Sequence, residues 1–173
     1  MTFDRRRFLS AAALIPFAAR AEPGLKTGKK LLVLDFEIID TSSEPVDQRA
    51  DHARRLSQAR DAIASGLAAA GTYEIVDRAA IQGDLDQVLK QTYIRTCNGC
   101  ETTLARKAGA DLVLTGVVNK VSTLILSMGV SMTRASSGQL VYHQGFDFRG
   151  DNDQSYARAA KFFTERIARE PVS

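Results

Sequence analysis

The sequence is poor in the residues from which most active centres are built. Its 173 residues include two histidines and two cysteines. His52 and His143 are therefore the only side chains suited to act as bases at neutral pH without a large pKa shift. A structural zinc site normally takes four ligands, and two cysteines with two distant histidines do not supply them at motif spacing. No nucleophile elbow, phosphate loop or paired metal motif occurs. The glycines of Gly109 to Gly116 read as a helix cap and a strand glycine, not as a dinucleotide fingerprint. These absences argue against a catalytic set, a metal and a cofactor. No stretch beyond the amino terminus is long and apolar enough to cross a hydrocarbon core of about 30 Å.

A net charge of one sign is also lacking once the amino terminus is set aside. Asp4-Arg5-Arg6-Arg7-Phe8-Leu9-Ser10 has the arginine pair and Phe-Leu of a twin-arginine export signal. The short apolar stretch from Ala11 to Ala19 follows, interrupted by Pro16. Ala19-Arg20-Ala21 puts small residues where a signal peptidase reads, so cleavage is expected between Ala21 and Glu22. An ordinary Sec signal with a basic start is the alternative. No cysteine lies near the cut, which argues against a lipid anchor. The chain carries 23 Lys and Arg against 20 Asp and Glu; loss of Arg5, Arg6, Arg7, Arg20 and Asp4 leaves 19 of each. A neutral mature chain removes the main sequence-level support for a nucleic-acid partner, whose binding needs a clustered basic surface. The expected location is the periplasm.

What remains fits one domain. Residues 22–30 read as a flexible lead-in. Leu31 to Phe36 is a continuous apolar run, suited to a strand covered on both faces. Ile38 to Pro45 reads as a polar loop. A helix follows from about Asp47 to Ala70, with Ala53, Leu56, Ile63, Leu67 and Ala70 on its apolar stripe. His52, Arg54, Arg55 and Asp61 fall off that stripe. Gly71 suits the helix end. Tyr73 to Val76 is a short strand, and helices are expected over 78–90 and 99–108. Asn98 and Glu101 have the spacing of a capping box for the latter.

The second half changes period. Asp111 to Val121 is a strand. Leu124, Leu126, Met128, Val130 and Met132 alternate with Ile125, Ser127, Gly129, Ser131 and Thr133, the period of a half-buried strand. After a turn at residues 135–138, Leu140, Tyr142, Phe146 and Phe148 oppose Val141, His143 and Asp147, completing an antiparallel hairpin. Tyr156, Ala160, Phe163 and Ile167 form the core stripe of a last helix starting near Asp153. The order βαβααβββα predicts an α/β (mixed α+β) domain over residues 31–170, with one mixed sheet and helices packed on it.

Cys97-Asn98-Gly99-Cys100 is the one constellation with definite chemistry. In an oxidising compartment two cysteines tend to pair, and an Asn-Gly turn brings their Cα atoms within the range a disulfide needs. Three readings stand: a structural disulfide, a redox-active pair with Cys97 at a helix amino terminus, and a metal site. Haem attachment is disfavoured because Glu101, not histidine, follows.

Other candidates have bland counterparts. His52 reads as a solvated residue on a polar helix side. His143 and Asp147, with Ser127, Ser131 and Thr133, form a polar face that is either a binding surface or the wet side of an antiparallel sheet. Asp35 and Asp77 sit near the carboxyl ends of the first two strands, where open sheets bind ligands, and also where acids cap the following helices.

Two stretches carry a resemblance. Gly109-Ala110-Asp111-Leu112-Val113-Leu114-Thr115-Gly116, with the order of elements, resembles the TolB amino-terminal and CsgG-like group of envelope proteins. Lys120-Val121-Ser122-Thr123-Leu124-Ile125-Leu126-Ser127-Met128, with Arg149-Gly150-Asp151, is similar to a family of predicted secreted bacterial proteins of unknown function. The resemblance spans about residues 30–168 and implies a non-enzymatic accessory role, acting on envelope or periplasmic proteins or as a homo-oligomer. A thiol–disulfide protein using Cys97 and Cys100 is the alternative, and a helper for a periplasmic cofactor-dependent enzyme a third.

Overall fold

The computed structural model describes residues 28–172. The expected signal over residues 1–21 and the cut between Ala21 and Glu22 lie outside the described residues.

Strand β1 (Lys30–Val33) leads directly into buried Leu34. Leu31 to Leu34 are 0–2 % exposed. Leu31 and Val33 enter one apolar cluster and Leu32 and Leu34 another, so both faces of β1 are covered. A short strand β2 (Glu37–Asp40) follows where the sequence reads as loop. Its polar ends hide it locally. It forms because its backbone pairs in parallel with β4 (Leu112–Ser122), a partner about eighty residues away.

Helix α1 (Arg49–Ala69) lays Leu56, Ile63 and Leu67 on the sheet and ends at Gly71, whose φ of +67° a side chain would disfavour. Strand β3 (Glu74–Ile75), a 3-10 turn (Arg78–Ile81) and helix α2 (Gln82–Leu89) come next. A second 3-10 turn (Ile94–Thr96) precedes helix α3 (Cys100–Lys107). Strands β4, β5 (Ile125–Arg134) and β6 (Leu140–Phe148) form the antiparallel half, and helix α4 (Asp153–Arg169) closes the fold. The strand order is β3-β1-β4-β5-β6, with β2 beside β4. This is the expected mixed α/β sheet with helices packed on it, with β2 added.

The two faces of the sheet differ. On the first, α1 and α4 bury Ile63, Leu67, Tyr156, Phe163 and Ile167 against Leu114, Val118, Met128 and Val130. Each such side chain contributes about 1.5–3 kcal/mol relative to exposure. On the second, α2, α3 and the 3-10 turns cover Leu32, Leu34 and Val113. Among the described residues that cover reaches β1, the start of β4 and Ala135 just past the end of β5.

Two local expectations are corrected. Asn98 and Glu101 form no capping box: Asn98 is left-handed with φ +50°, Gly99 is the N-cap with φ +102°, and no side chain caps the helix. The alternation in β6 also slips. A bulge sets Met132 opposite Tyr142 but Thr133 opposite Leu140. Val141 therefore packs against the first core, while Leu140 is exposed on the other side.

Candidate functional site

Registers between strands place the side chains of the uncovered second face in rows. Ile39, Asn119, Ser127 and Asp147 share one row. Glu37, Val117, Gly129 and Gly145 share the next, and Thr115, Ser131 and His143 the third. The expected polar group of Ser127, Ser131, His143 and Asp147 is thus brought onto one face. Ser131 Oγ and His143 Nδ1 are 2.9 Å apart. Thr115, Ser127, Gly129, Ser131 and Gly145 give the middle of this face small side chains.

One end of this face is walled by the cysteine loop. Asp35, Glu37, Ile94, Arg95, Asn98, Gly99 and Glu101 face Thr115, Val117, Ser131, Thr133 and Leu140 across a cleft of about 360 Å³. Glu37 anchors the wall: its carboxylate accepts bonds from the backbone N–H of Ile94 at 2.7 Å and of Arg95 at 3.1 Å, and from the Arg95 guanidinium at 3.1 Å. Cys97 and Cys100 are joined as a disulfide with Cα atoms 5.6 Å apart. Cys100, not Cys97, is the first residue of α3. Glu101 lies beside the two sulfurs, the one grouping among the described residues with potential metal-ligand spacing.

The geometry weighs against hydrolytic chemistry at the Ser131–His143 pair. Asp147 is four residues along β6 from His143, about 13 Å at strand rise. A carboxylate that distant does not orient the imidazole as a Ser-His-Asp triad requires. Asp77 is a cap, accepting from the N–H of Ala79 at 2.9 Å. Asp35 is clasped by Arg60 and Arg78.

Sequence reading missed a buried charge cluster on the first face. His52 is 4 % exposed, not solvated, and its Nε2 lies 2.8 Å from Asp151 Oδ2. Lys120 Nζ reaches Asp151 at 3.0 Å, Glu44 at 2.8 Å and the Gln48 side-chain oxygen at 3.2 Å. Arg55 donates to Asp151 Oδ1 at 2.8 Å. Burial acts to raise the Asp151 carboxyl, but the bonds from His52 and Lys120 outweigh it and hold the group below the usual carboxylate range. Burial acts to lower Lys120, and its bonds to Glu44 and Asp151 reverse that. The Lys120 bond, with a second from Thr123, holds Glu44 down at about 2. The one signal in the sequence was indirect. Lys120 opens one family-like stretch and Asp151 ends the other, and the fold joins them.

A family model matches residues 29–167, the stretch that contains both the cluster and the open face. The chain belongs to the family DUF3280. That family is described as a protein of unknown function (DUF2380). No curated protein matches the chain. Among solved structures, this DUF3280 chain is similar to LpoB from Escherichia coli, with a TM-score of 0.53, 14 % identity, and 86 % of this chain and 80 % of that one covered. It is similar to lipoprotein GNA1162 from Neisseria meningitidis, with a TM-score of 0.52, 16 % identity and coverage of 83 % and 99 %. The hypothetical protein CT253 from Chlamydia trachomatis gives a TM-score of 0.52, 12 % identity and coverage of 82 % and 96 %. At such identities these likenesses show the fold. No helix among the described residues is long and apolar enough to cross a membrane.

Proposed function

We propose that this DUF3280 protein is a non-enzymatic accessory module of the bacterial periplasm, exported by the twin-arginine route, that binds envelope proteins through the open face of β4–β6. The observation that carries this reading is the uneven cover of the sheet. Two helices bury the first face from β1 to β6, whereas among the described residues the second face is covered only at β1, the start of β4 and Ala135 just past β5. A bare sheet face bearing a row of small residues beside an arginine- and acid-lined cleft is shaped for a protein surface. Arg5-Arg6 and the Cys97–Cys100 bridge support an oxidising compartment. The likeness to a named lipoprotein supports an envelope setting, as does the resemblance to the TolB amino-terminal and CsgG-like group.

The test is to crowd the face without touching the core. Gly129 and Ser131 are part-exposed and lie on the bare side. Gly129→Arg with Ser131→Glu is expected to keep the circular dichroism and melting profile of the parent. It is expected to abolish co-purification of the periplasmic partner that the parent retains. Unchanged partner binding by the folded variant would refute the reading.

A thiol–disulfide role is the second reading, and one observation favours it: Cys100 is the first residue of α3, where the helix dipole stabilises a thiolate. Titration against glutathione separates the two. A bridge that stays closed at ordinary glutathione ratios is structural.

A further inference from the structure

Among the described residues strand β6 ends the sheet. Its outer edge offers backbone donors and acceptors over nine residues, Leu140-Val141-Tyr142-His143-Gln144-Gly145-Phe146-Asp147-Phe148. Proteins that keep such an edge single protect it with lysine, proline or a covering loop. This strand contains neither lysine nor proline. Its one bulge lies at Val141, which leaves Tyr142 to Phe148 regular.

That regular stretch is self-complementary about its midpoint. Gly145 is central, with Tyr142 and Phe148 three residues to either side. In an antiparallel pair centred there, His143 falls opposite Asp147 of the second copy, and Asp147 opposite its His143. Both side chains are exposed and lie on the bare face. On the helix-covered face Tyr142 falls opposite Phe148 of the second copy. Aromatic pairs and pairs of opposite polarity are the cross-strand contacts that stabilise sheets. At the centre two glycines meet without a side chain between them.

The backbone direction agrees. The Gly145 carbonyl accepts a bond from the side-chain amide of the adjacent Gln144 at 2.9 Å, which fits a carbonyl turned away from β5 and capped by its neighbour. In an antiparallel strand the N–H of a residue points the same way as its carbonyl, and every second residue follows. Gly145, His143 and Asp147 then all present their backbone groups outward. This is the phase that a pair centred on Gly145 needs: the two glycines exchange both bonds, and His143 and Asp147 of opposite copies do the same.

We propose that two copies of this chain pair through β6, antiparallel and about a two-fold axis at Gly145, to make one continuous sheet. The bare faces of the two copies then lie side by side. This goes beyond the accessory-module reading and does not depend on it.

The test uses the whole purified protein. Sedimentation equilibrium is expected to give a dimer at micromolar concentration. Gly145→Cys places two thiols at the axis, where Cα atoms of a hydrogen-bonded antiparallel pair stand about 5.5 Å apart, within disulfide range. A Cβ at Gly145 meets nothing within 4 Å in the protomer, so the fold tolerates it. This variant is expected to crosslink to a dimer under mild oxidation, and Leu124→Cys, at the far hairpin tip, is not. His143→Asp sets like charges opposite each other twice and is expected to weaken dimerisation about ten-fold. Adding Asp147→His to it restores the histidine–aspartate pair with the two positions exchanged and is expected to recover the parent constant. A monomer at every concentration with no Gly145→Cys crosslink overturns the proposal. So does a dimer that crosslinks through Leu124→Cys instead, or one indifferent to both charge variants. Each of these outcomes leaves partner binding at Ser131 to be judged by its own experiment.

Discussion

Lys120 has no exposed side-chain surface, yet it carries a charge into the core beside Asp151. Breaking such a pair leaves an uncompensated ion, and that is the costly event. Lys120→Met is therefore expected to lose about 3 kcal/mol in urea unfolding, because Asp151 and Glu44 lose a shared cation. The same cluster sets an acid limit. Glu44 sits at about 2 in the fold against an ordinary value of 4.5. A depressed carboxyl contributes stability that is complete above its unfolded value and vanishes as pH falls to the folded one. Urea midpoints are thus expected to decline from about pH 5 to about pH 2. Glu44→Gln is expected to flatten part of that decline. At Gly116, an added Cβ would stand 2.6 Å from the Phe36 ring. Gly116→Ala is expected to cost about 1–3 kcal/mol through overpacking, read from the same unfolding curves.

At the scale of elements, the cysteine bridge is a local staple. It closes only residues 97–100, so chain entropy assigns it about 2 kcal/mol. Replacing both cysteines with serine is expected to lower the melting temperature by about 4–8 °C and to leave far-ultraviolet dichroism unchanged. Elements whose signals are local were legible in the sequence. The buried run of β1, the alternation of β5 and the Tyr156-Ala160-Phe163-Ile167 stripe of α4 each reflect one partner surface and one period. Elements defined by distant partners were not. The strand β2 exists through pairing with β4, and its ends are acidic residues occupied elsewhere: Glu37 by the 3-10 turn, Asp40 by Ser42. The β6 bulge depends on cross-strand register, which exchanged the faces of Leu140 and Val141. His52 was misplaced for a related reason. A helix wheel marks it polar, but α4 and its preceding loop bring Asp151 against it from 99 residues away. The face of Ser127, Ser131, His143 and Asp147 was legible because strand alternation fixes it. The cleft wall was not, since the loop that builds it is held there by Glu37.

For the molecule as a whole, the helices occupy one face of the sheet fully and the other in part. Among the described residues this asymmetry leaves a surface of small and polar residues opposite the best-packed core. The most direct measurement places a photocrosslinking amino acid at Ser131, on the bare face, and at Lys161, whose side chain is 77 % exposed on α4. Both variants are expressed and irradiated in intact cells. The account predicts a discrete adduct with one envelope protein from Ser131 and none from Lys161. Equal labelling from both positions, or an adduct from Lys161 alone, would contradict it.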